Sequence, residues 1–576
     1  MDRPNVILVM TDDQGYGDLG CTGNPWIETP GIDAFYADAV RFSDFHVSPL
    51  CTPTRGGLMT GRRPVRNGAW ATTWGRSMLH REDATMADVF AGGGYATAMF
   101  GKWHLGDNYP YRPQDRGFQH VVAHKGGGVG QTPDFWGNSY FDDTYFHDGE
   151  PVEHVGYCTD VWFEEAFRFI EGHHDQPFFA YIATNAPHSP YLVPDRYAER
   201  YRGNPAIPEP EFYGMITNID ENFARLRSLL KQLEIEDNTI LIFMTDNGSS
   251  GGCTLGPGQF VERGYSAGMR GKKGSYYDGG HRVPFFVRWP SGGLTGGRDI
   301  DELVAHVDLL PTFIELCGLP TPDTMDVDGD SVVSLFTAEA PASLSDRVHF
   351  LQYRQNTEPP EKWTNAVMTR RWRLVNGCEL YDIKADPGQV ADVAAVHPDV
   401  VEWLRGEHEC WWAKIEPGLS EYAPIALGNP LENPTRLDAF DVMGDVAWSQ
   451  SQILAALRTC GRWRVDIERS GLYGFTLRRW PEEAAFPISE ALPLEAVRKM
   501  APYESVDAPG QITASAARLC VAGAEHRIAV GEGTDAVTFE VRIDETGIGD
   551  LDAWFIDPDG VEWGAYYVYA EWLGAT

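Results

Sequence analysis

Asp12 and Asp13 follow the apolar run NVILVM (5–10) after one threonine, and Asp246 and Asn247 follow TILIFMT (239–245) directly. Adjacent carboxylates repel, so a pair delivered together at a strand end is either an exposed turn or part of a site for a hard cation. A second strand ending in the same oxygen-bearing residues favours the cation, Ca2+ or Mg2+, and no His or Cys stands beside either pair to recruit zinc. Cys51 lies in SPLCTPTRGGLMTGR, ahead of Pro53 and Arg55 at a glycine-rich helix start. That setting predicts an exposed thiol of depressed pKa, with an ordinary free thiol as the plain alternative. Arg55, one turn along, would hold an anion together with the helix-start amides. In GKWHLG (101–106), Lys102 and His104 are two residues apart; in extended backbone they face one pocket, and otherwise they flank a buried Trp103 in a surface loop. His188 sits in APHSPY, a loop stiffened by two prolines, and Lys273 ends the pair in GKKG. Singly these are an ordinary loop histidine and a solvated lysine; together they make a cationic pocket around an anion.

CTPTR also matches the C-x-P-x-R element by which sulfatases are recognised for oxidation of the cysteine to formylglycine. Further segments follow in family order: NVILVMTDDQGYGDLG, TPGIDAFYADAVRFSDFHV, GKWHLG, APHSPY, TDNGSS, MRGKKGSYYDGGHRVPFFVRWP and ELYDIKADPGQ. Over residues 4–415 the chain therefore resembles the formylglycine-dependent, arylsulfatase-like sulfatases of the alkaline phosphatase superfamily. The resemblance implies hydrolysis of a sulfate monoester to an alcohol and inorganic sulfate, after maturation by a formylglycine-generating enzyme. It makes Asp12, Asp13, Asp246 and Asn247 ligands of one divalent cation, Ca2+ ahead of Mg2+, with an oxygen of the modified Cys51 completing the shell. It assigns Arg55 to steadying the aldehyde hydrate, and Lys102, His104, His188 and Lys273 to binding sulfate and moving protons. Lys272 competes with Lys273, which is preferred because the family's lysine directly precedes the second glycine. A hydrated aldehyde carries two hydroxyls on one carbon, so one attacks sulfur and the other allows sulfate to be expelled. A phosphonate monoester or phosphodiester hydrolase of the same superfamily is the nearest alternative.

These residues need a scaffold. NVILVM, YATAMF (95–100), FFAYIAT (178–184), TILIFMT and VPFFVRW (283–289) are too apolar for one-sided strands and read as central strands covered on both faces. Helical spacing at 159–173 and 213–233 alternates with them, which is the α/β signature. The resemblance implies a large mixed central sheet for a catalytic domain at 1–345. At 346–415, WRLV and ELYDI predict a smaller antiparallel sheet, followed by a helix opened by Pro398. Residues 416–444, rich in Pro, Asn and Gly, read as a linker or extended wrap. Residues 445–576 alternate polar and apolar positions around Gly and Asp-Gly turns, as in an antiparallel β-sandwich. The aromatic residues of that tail are sandwich core or a sugar-stacking face; alternatively, the tail and NPLENPTRLDAFDVM fold back to rim the pocket. Residues that choose the substrate are expected in loops 107–155 and 249–268, with Trp136, Tyr140, Phe141, Tyr145 and His147 as candidates.

The formal net charge of −36 argues against nucleic acid and anionic lipid as partners, and any anion site must reverse that sign locally. No run of 18 apolar residues is present, so no membrane span is expected. MDRPNVILVM reads as a first buried strand rather than a signal sequence, which makes the chain intracellular as written, or periplasmic or secreted if a signal was removed. The nine cysteines are scattered and include no CxxC pair, which excludes a dense disulfide framework and a zinc cluster.

Overall fold

The computed structural model describes residues 3–322, 325–336, 344, 346–493 and 509–575. Asn5–Thr11 (β1) is buried at every position because both of its faces are covered. Val6, Leu8 and Met10 enter one core, and Ile7 and Val9 enter the other. The rest of its sheet is β2 (Val40–Phe42), β3 (Ala96–Lys102), β4 (His120–His124), β5 (Thr144–His147), β6 (Glu150–Glu153), β7 (Phe178–Ala183), β8 (Thr239–Thr245), β9 (Phe285–Arg288) and β10 (Asp299–Ile300). These form one ten-stranded sheet in the order β10-β2-β9-β8-β1-β7-β3-β4-β5-β6. β8, β1, β7, β3 and β4 are mutually parallel. β9 is antiparallel to β8, and β5 to β4, so the sheet is mixed.

Five helices matter for the site: α1 (Cys51–Thr60), α2 (Cys158–His173), α3 (Pro210–Gln232), α4 (Leu309–Cys317) and α5 (Pro398–Ile415). Both α2 and α3 cover one face of the sheet, through residues such as Trp162 and Phe223. α1 and α4 cover the other, through Leu58, Met59 and Phe313. The parallel strands end at a common edge, so whatever follows them is brought together there. Asp12 and Asp13 follow β1, Lys102 ends β3, His188 lies beyond β7, and Asp246 and Asn247 follow β8. Backbone bonds extend past the strands and fix these turns, with Asp12 N–H donating to Ala186 O (3.1 Å) and Asp246 N–H to Thr11 O (3.0 Å).

A second sheet runs antiparallel through β11 (His349–Leu351), β12 (Ala366–Met368), β13 (Trp372–Val375) and β14 (Glu379–Asp382), with Leu404 of α5 packed on it. In the stretch read as linker or wrap, Ile425–Leu427 pairs with Cys460–Ile467 and Thr435–Asp438 pairs with Tyr567–Gly574. That stretch and the tail together build a seven-stranded and a four-stranded sheet over one core that contains Trp463, Tyr473, Phe475, Trp480 and Tyr567. Those aromatics are therefore core rather than a stacking face. Met78 and Tyr111, from the catalytic part, join the same core. Among the described residues no helix is long and apolar enough to cross a membrane.

Arg373 on β13 ties the second sheet to the first. Its buried guanidinium donates to Asp44 Oδ1 (2.8 Å) and Asp278 Oδ1 (3.1 Å). Asp44 begins the run that leads to Cys51, and Asp278 follows Lys273, so one arginine anchors both segments. Arg373→Met leaves two buried carboxylates without their cation and should cost about 3–5 kcal/mol, measurable by denaturant unfolding. An unfolding midpoint equal to that of the parent would show that the tie carries no stability.

Candidate active site

Asp12, Asp13 and Asp246 are fully buried, and each offers an oxygen within 4.8 Å of the others. Such a cluster needs compensating cations. Three are present. Lys102 Nζ lies 2.6 Å from Asp12 Oδ2, Lys273 Nζ 2.6 Å from Asp13 Oδ1, and Arg55 Nη2 2.7 Å from Asp246 Oδ2. Asp13 N–H also donates to Asp246 Oδ1 (3.0 Å), and Asn247 Nδ2 donates to Asp13 Oδ1 (2.9 Å). Asp12 Oδ1 and Asn247 Oδ1 are buried with no hydrogen-bond partner among the described residues. Three carboxylates with two orphaned oxygens beside them are the all-oxygen donor set that a hard divalent cation takes. Burial raises the Asp12 carboxyl despite Lys102, and burial with the Asp12 charge raises Asp246 to about 6. Burial opposes ionisation of Asp13 too, but Lys273 and His188 outweigh it and hold that carboxyl well below its usual range.

Cys51 is the first residue of α1 and lines a cavity of about 240 Å3, with His104, His188 and Lys273 beside it. It is only 3% exposed, and burial raises its thiol pKa. The expected exposed, acidified thiol is thus corrected. Burial wins over the nearby Lys102 and Lys273, and the Asp12 and Asp246 carboxylates push in the same direction as burial. Arg55 is also placed differently from the expectation of an anion holder. Its Nε and Nη2 serve Asp246, its Nη1 donates to Lys102 O (2.9 Å), and it does not line the cavity. Lys273 is the lysine that reaches the cluster, while Lys272 Nζ turns to the Ser250 carbonyl (3.2 Å).

The two histidines have readable tautomers. His104 Nε2 lies 2.9 Å from Thr72 O, and a carbonyl only accepts, so Nε2 carries the proton. His104 Nδ1 is left as a buried lone pair without a partner among the described residues. Burial, reinforced by Lys102, holds its pKa well below the ordinary value and keeps the ring neutral. His188 Nδ1 donates to Ser189 O (2.6 Å), which turns Nε2 towards Asp13 Oδ2 at 3.8 Å. Burial lowers His188 to about 4 against the pull of Asp13. The ring of His104 is met by Gly127, where a Cβ would fall 2.3 Å from Cε1, so only glycine fits. Asp13, His104 and Trp74 all take positive φ (63°, 60° and 66°), a strained backbone costing about 1–3 kcal/mol each.

The rest of the cavity lining includes Thr73, Trp74, Gln131, Gln355, Phe440 and Trp448. No motif pointed to them, although Phe440 lies in the NPLENPTRLDAFDVM segment. None of the five aromatic and histidine candidates in 107–155 lines this cavity. Tyr140 and Tyr145 are core, Phe141 packs on Tyr157, Trp136 packs on Trp480, and His147 Nε2 pairs with His154 Nε2 (2.8 Å). Loop 107–155 contributes Gly127 and Gln131 instead, and loop 249–268 contributes no lining residue.

The sequence profile of the sulfatase family matches residues 4–319, and that of the N-sulphoglucosamine sulphohydrolase C-terminal region matches 271–403. An arylsulfatase of Hemicentrotus pulcherrimus is 31% identical, over 73% of this chain and 84% of its own. Arylsulfatase A of Homo sapiens is 30% identical, over 70% of this chain and 86% of its own. The crystal structure of Ps i-CgsB in complex with k-i-k-neocarrahexaose superposes with a TM-score of 0.63 at 27% identity, covering 71% of this chain and 93% of that one. With the family profile spanning more than half its length and curated relatives matched over most of theirs, the chain belongs to the sulfatase family of the alkaline phosphatase superfamily.

Proposed function

We propose that this protein hydrolyses sulfate monoesters, of aryl or related organic alcohols, using a formylglycine made from Cys51 and one divalent cation held by Asp12, Asp13, Asp246 and Asn247. Ca2+ is preferred to Mg2+. The observation that carries the reading is the position of Cys51, which lines the cavity with His104, His188 and Lys273 and lies near enough to the carboxylate cluster to feel the charges of Asp12 and Asp246. Asp12, Asp13 and Asp246 are already balanced by Lys102, Lys273 and Arg55, so a bound divalent cation would leave the site net positive for an anionic ester and would acidify an oxygen nucleophile. The aldehyde would supply, when hydrated, an oxygen nucleophile that can be regenerated without hydrolysing an enzyme ester. Because Cys51 is 3% exposed, a formylglycine-generating enzyme would act before the chain closes around it.

The chain's own groups then divide the work. Lys273 remains an ammonium beside Asp13 and presents its charge to a sulfate oxygen at the cavity floor. His188 Nε2, the nitrogen not committed to Ser189, gives a proton to the departing alcohol oxygen when the ring is in its protonated form, and is left as the neutral Nδ1–H tautomer. His104 Nδ1 is an unpaired base and takes a proton from the nucleophile's side. Arg55 holds Asp246 in place, and Lys102 does the same for Asp12.

Cys51→Ala should keep the fold and reduce sulfate release to background, and intact mass of active parent should show residue 51 lighter than a thiol by about 18 Da. An unmodified thiol in fully active protein would refute the nucleophile. His104→Ala and His188→Ala should each lower kcat by about 10²–10⁴-fold in a nitrophenyl sulfate assay run beside a nitrophenyl phosphodiester. Faster turnover of the phosphodiester would move the assignment to that substrate class. Chelation should lower the melting temperature, and Ca2+ at a hundred times its Kd should restore about 2.7 kcal/mol of stability; a melting curve indifferent to chelator and cation would remove the metal from the reading.

A further inference from the structure

The sulfatase-family profiles end at residue 403, yet two residues of the cavity wall, Phe440 and Trp448, come from beyond that point. Their position is fixed by backbone bonds on both sides. Trp74 N–H donates to Phe440 O (3.2 Å), and Thr132 N–H donates to Trp448 O (3.1 Å). Thr132 Oγ1 adds a bond to Ala447 O (2.5 Å), and Gln450 Nε2 reaches Gln131 O (3.2 Å). Segment 438–450 is therefore built into the pocket, with the Phe440 ring 6.0 Å from the ring of His104, and is not an appendage resting on it.

The chemistry of this far wall is specific. Trp74 is half-buried and Trp448 is 44% exposed, so both keep ring surface available at the cavity. Thr73 Oγ1 is buried with no hydrogen-bond partner among the described residues, a hydroxyl waiting for a polar neighbour. Gln131 adds a neutral amide whose Oε1 accepts from Gly127 N–H (2.7 Å), while the Gln355 amide is spent on Thr72, accepting from its N–H (3.0 Å) and donating to its Oγ1 (2.7 Å). Among the described lining residues there is no Asp, Glu or Arg, and the only lysine is Lys273, at the sulfate end. A second anionic group on the substrate would meet no cation on this wall, within a chain of net charge −36. Flat rings with hydrogen-bonding neutral groups between them suit a ring that has apolar faces and a hydroxylated edge, as a pyranose has.

We propose that segment 438–450 forms the specificity wall of the enzyme and selects an ester in which a single sulfate is carried by a neutral, hydroxylated sugar ring. This rests on the sulfate ester hydrolase reading and narrows it to a substrate class.

The test compares kcat/KM of formylglycine-bearing enzyme on nitrophenyl sulfate, a hexose monosulfate and the corresponding disulfate. The monosulfate should exceed the disulfate by at least about tenfold. Trp448→Ala should raise KM for the monosulfate by about tenfold, with a smaller share of the loss in kcat, and Trp448→Phe should recover most of it. Trp448 is half exposed, so neither variant is expected to unfold, and melting curves check this. Equal turnover of monosulfate and disulfate, or an unchanged KM in Trp448→Ala, would overturn the proposal while leaving the sulfatase reading intact. Turnover of nitrophenyl sulfate but of neither sugar ester would also overturn it. Failure on all three esters would instead sink the hydrolase reading, and this inference with it.

Discussion

Everything at the catalytic edge depends on keeping Asp12, Asp13 and Asp246 together in a volume shut off from water. Two carboxylates about 4 Å apart repel by roughly 4 kcal/mol even at an effective dielectric near 20. The fold answers with three cations from three separate segments. Arg55 comes from the first turns of α1, Lys102 from the end of β3, and Lys273 from the loop before β9. Bringing the acids together thus requires α1 and that loop to close over the strand ends. The same closure places Cys51 at the cavity floor and removes it from solvent, so the buried thiol follows from the charge balance.

Strain at the site is held by the same bonds that shape it. Asp13 keeps its left-handed backbone because its N–H is taken by Asp246 and its carbonyl accepts from Ser250 N–H (3.0 Å). His104 is pinned through Nε2 to Thr72, and Trp74 through its N–H to Phe440. Gly248 completes the frame. A Cβ there would fall 2.1 Å from Gly279 O, while its own N–H donates to Gly280 O (2.9 Å), so the turn after β8 and the loop carrying Lys273 touch directly. Each tether joins elements that are distant in sequence, which is how a loop site acquires the rigidity of the sheet beneath it.

Much of this was legible in the sequence because the signals are local. Five largely apolar runs reveal strands covered on both faces, and parallel strands put their following residues at one edge. From that, Asp12, Asp13, Asp246 and Asn247 could be gathered without a structure, whereas His188 entered through the family resemblance. The family resemblance, in which the lysine directly precedes the second glycine, selected Lys273 over Lys272, and its contact with Asp13 agrees. What sequence could not reveal was how long side chains would be spent. Arg55 looked like an anion binder because nothing local says that its fork is filled by Asp246 and the Lys102 carbonyl. The thiol looked acidified because a helix start lowers a pKa, whereas burial raises it and is set by tertiary packing. Tyr140 and Tyr145 looked available because an aromatic residue in a loop has the same sequence signature whether it faces a ligand or a core. Phe440 and Trp448 join Thr73 and Gln131 only through contacts spanning hundreds of residues, for which no short motif exists.

The tail's core and the pocket's wall share a segment, and this constrains how either can change. Asp438 O accepts from Trp463 Nε1 (2.7 Å), and Ala439 N–H donates to Tyr566 O (2.8 Å), so the backbone leading into Phe440 is fixed by residues of the C-terminal sheets. Ala447 N–H then donates back to Ala439 O (3.1 Å), closing the segment on itself before Trp448. The apolar core around Trp463 and Tyr566 therefore does more than stabilise a separate unit, because it sets where the far wall of the cavity stands. A cavity opened in that core would be felt at Trp448 as displacement, since close-packed interiors transmit strain instead of absorbing it. Chemistry and selectivity are thus joined at this wall, because the Phe440 ring lies 6.0 Å from the ring of His104 and Met78 and Tyr111 of the catalytic part pack in the tail's core, so a change in the tail reaches the groups around sulfur through direct contacts.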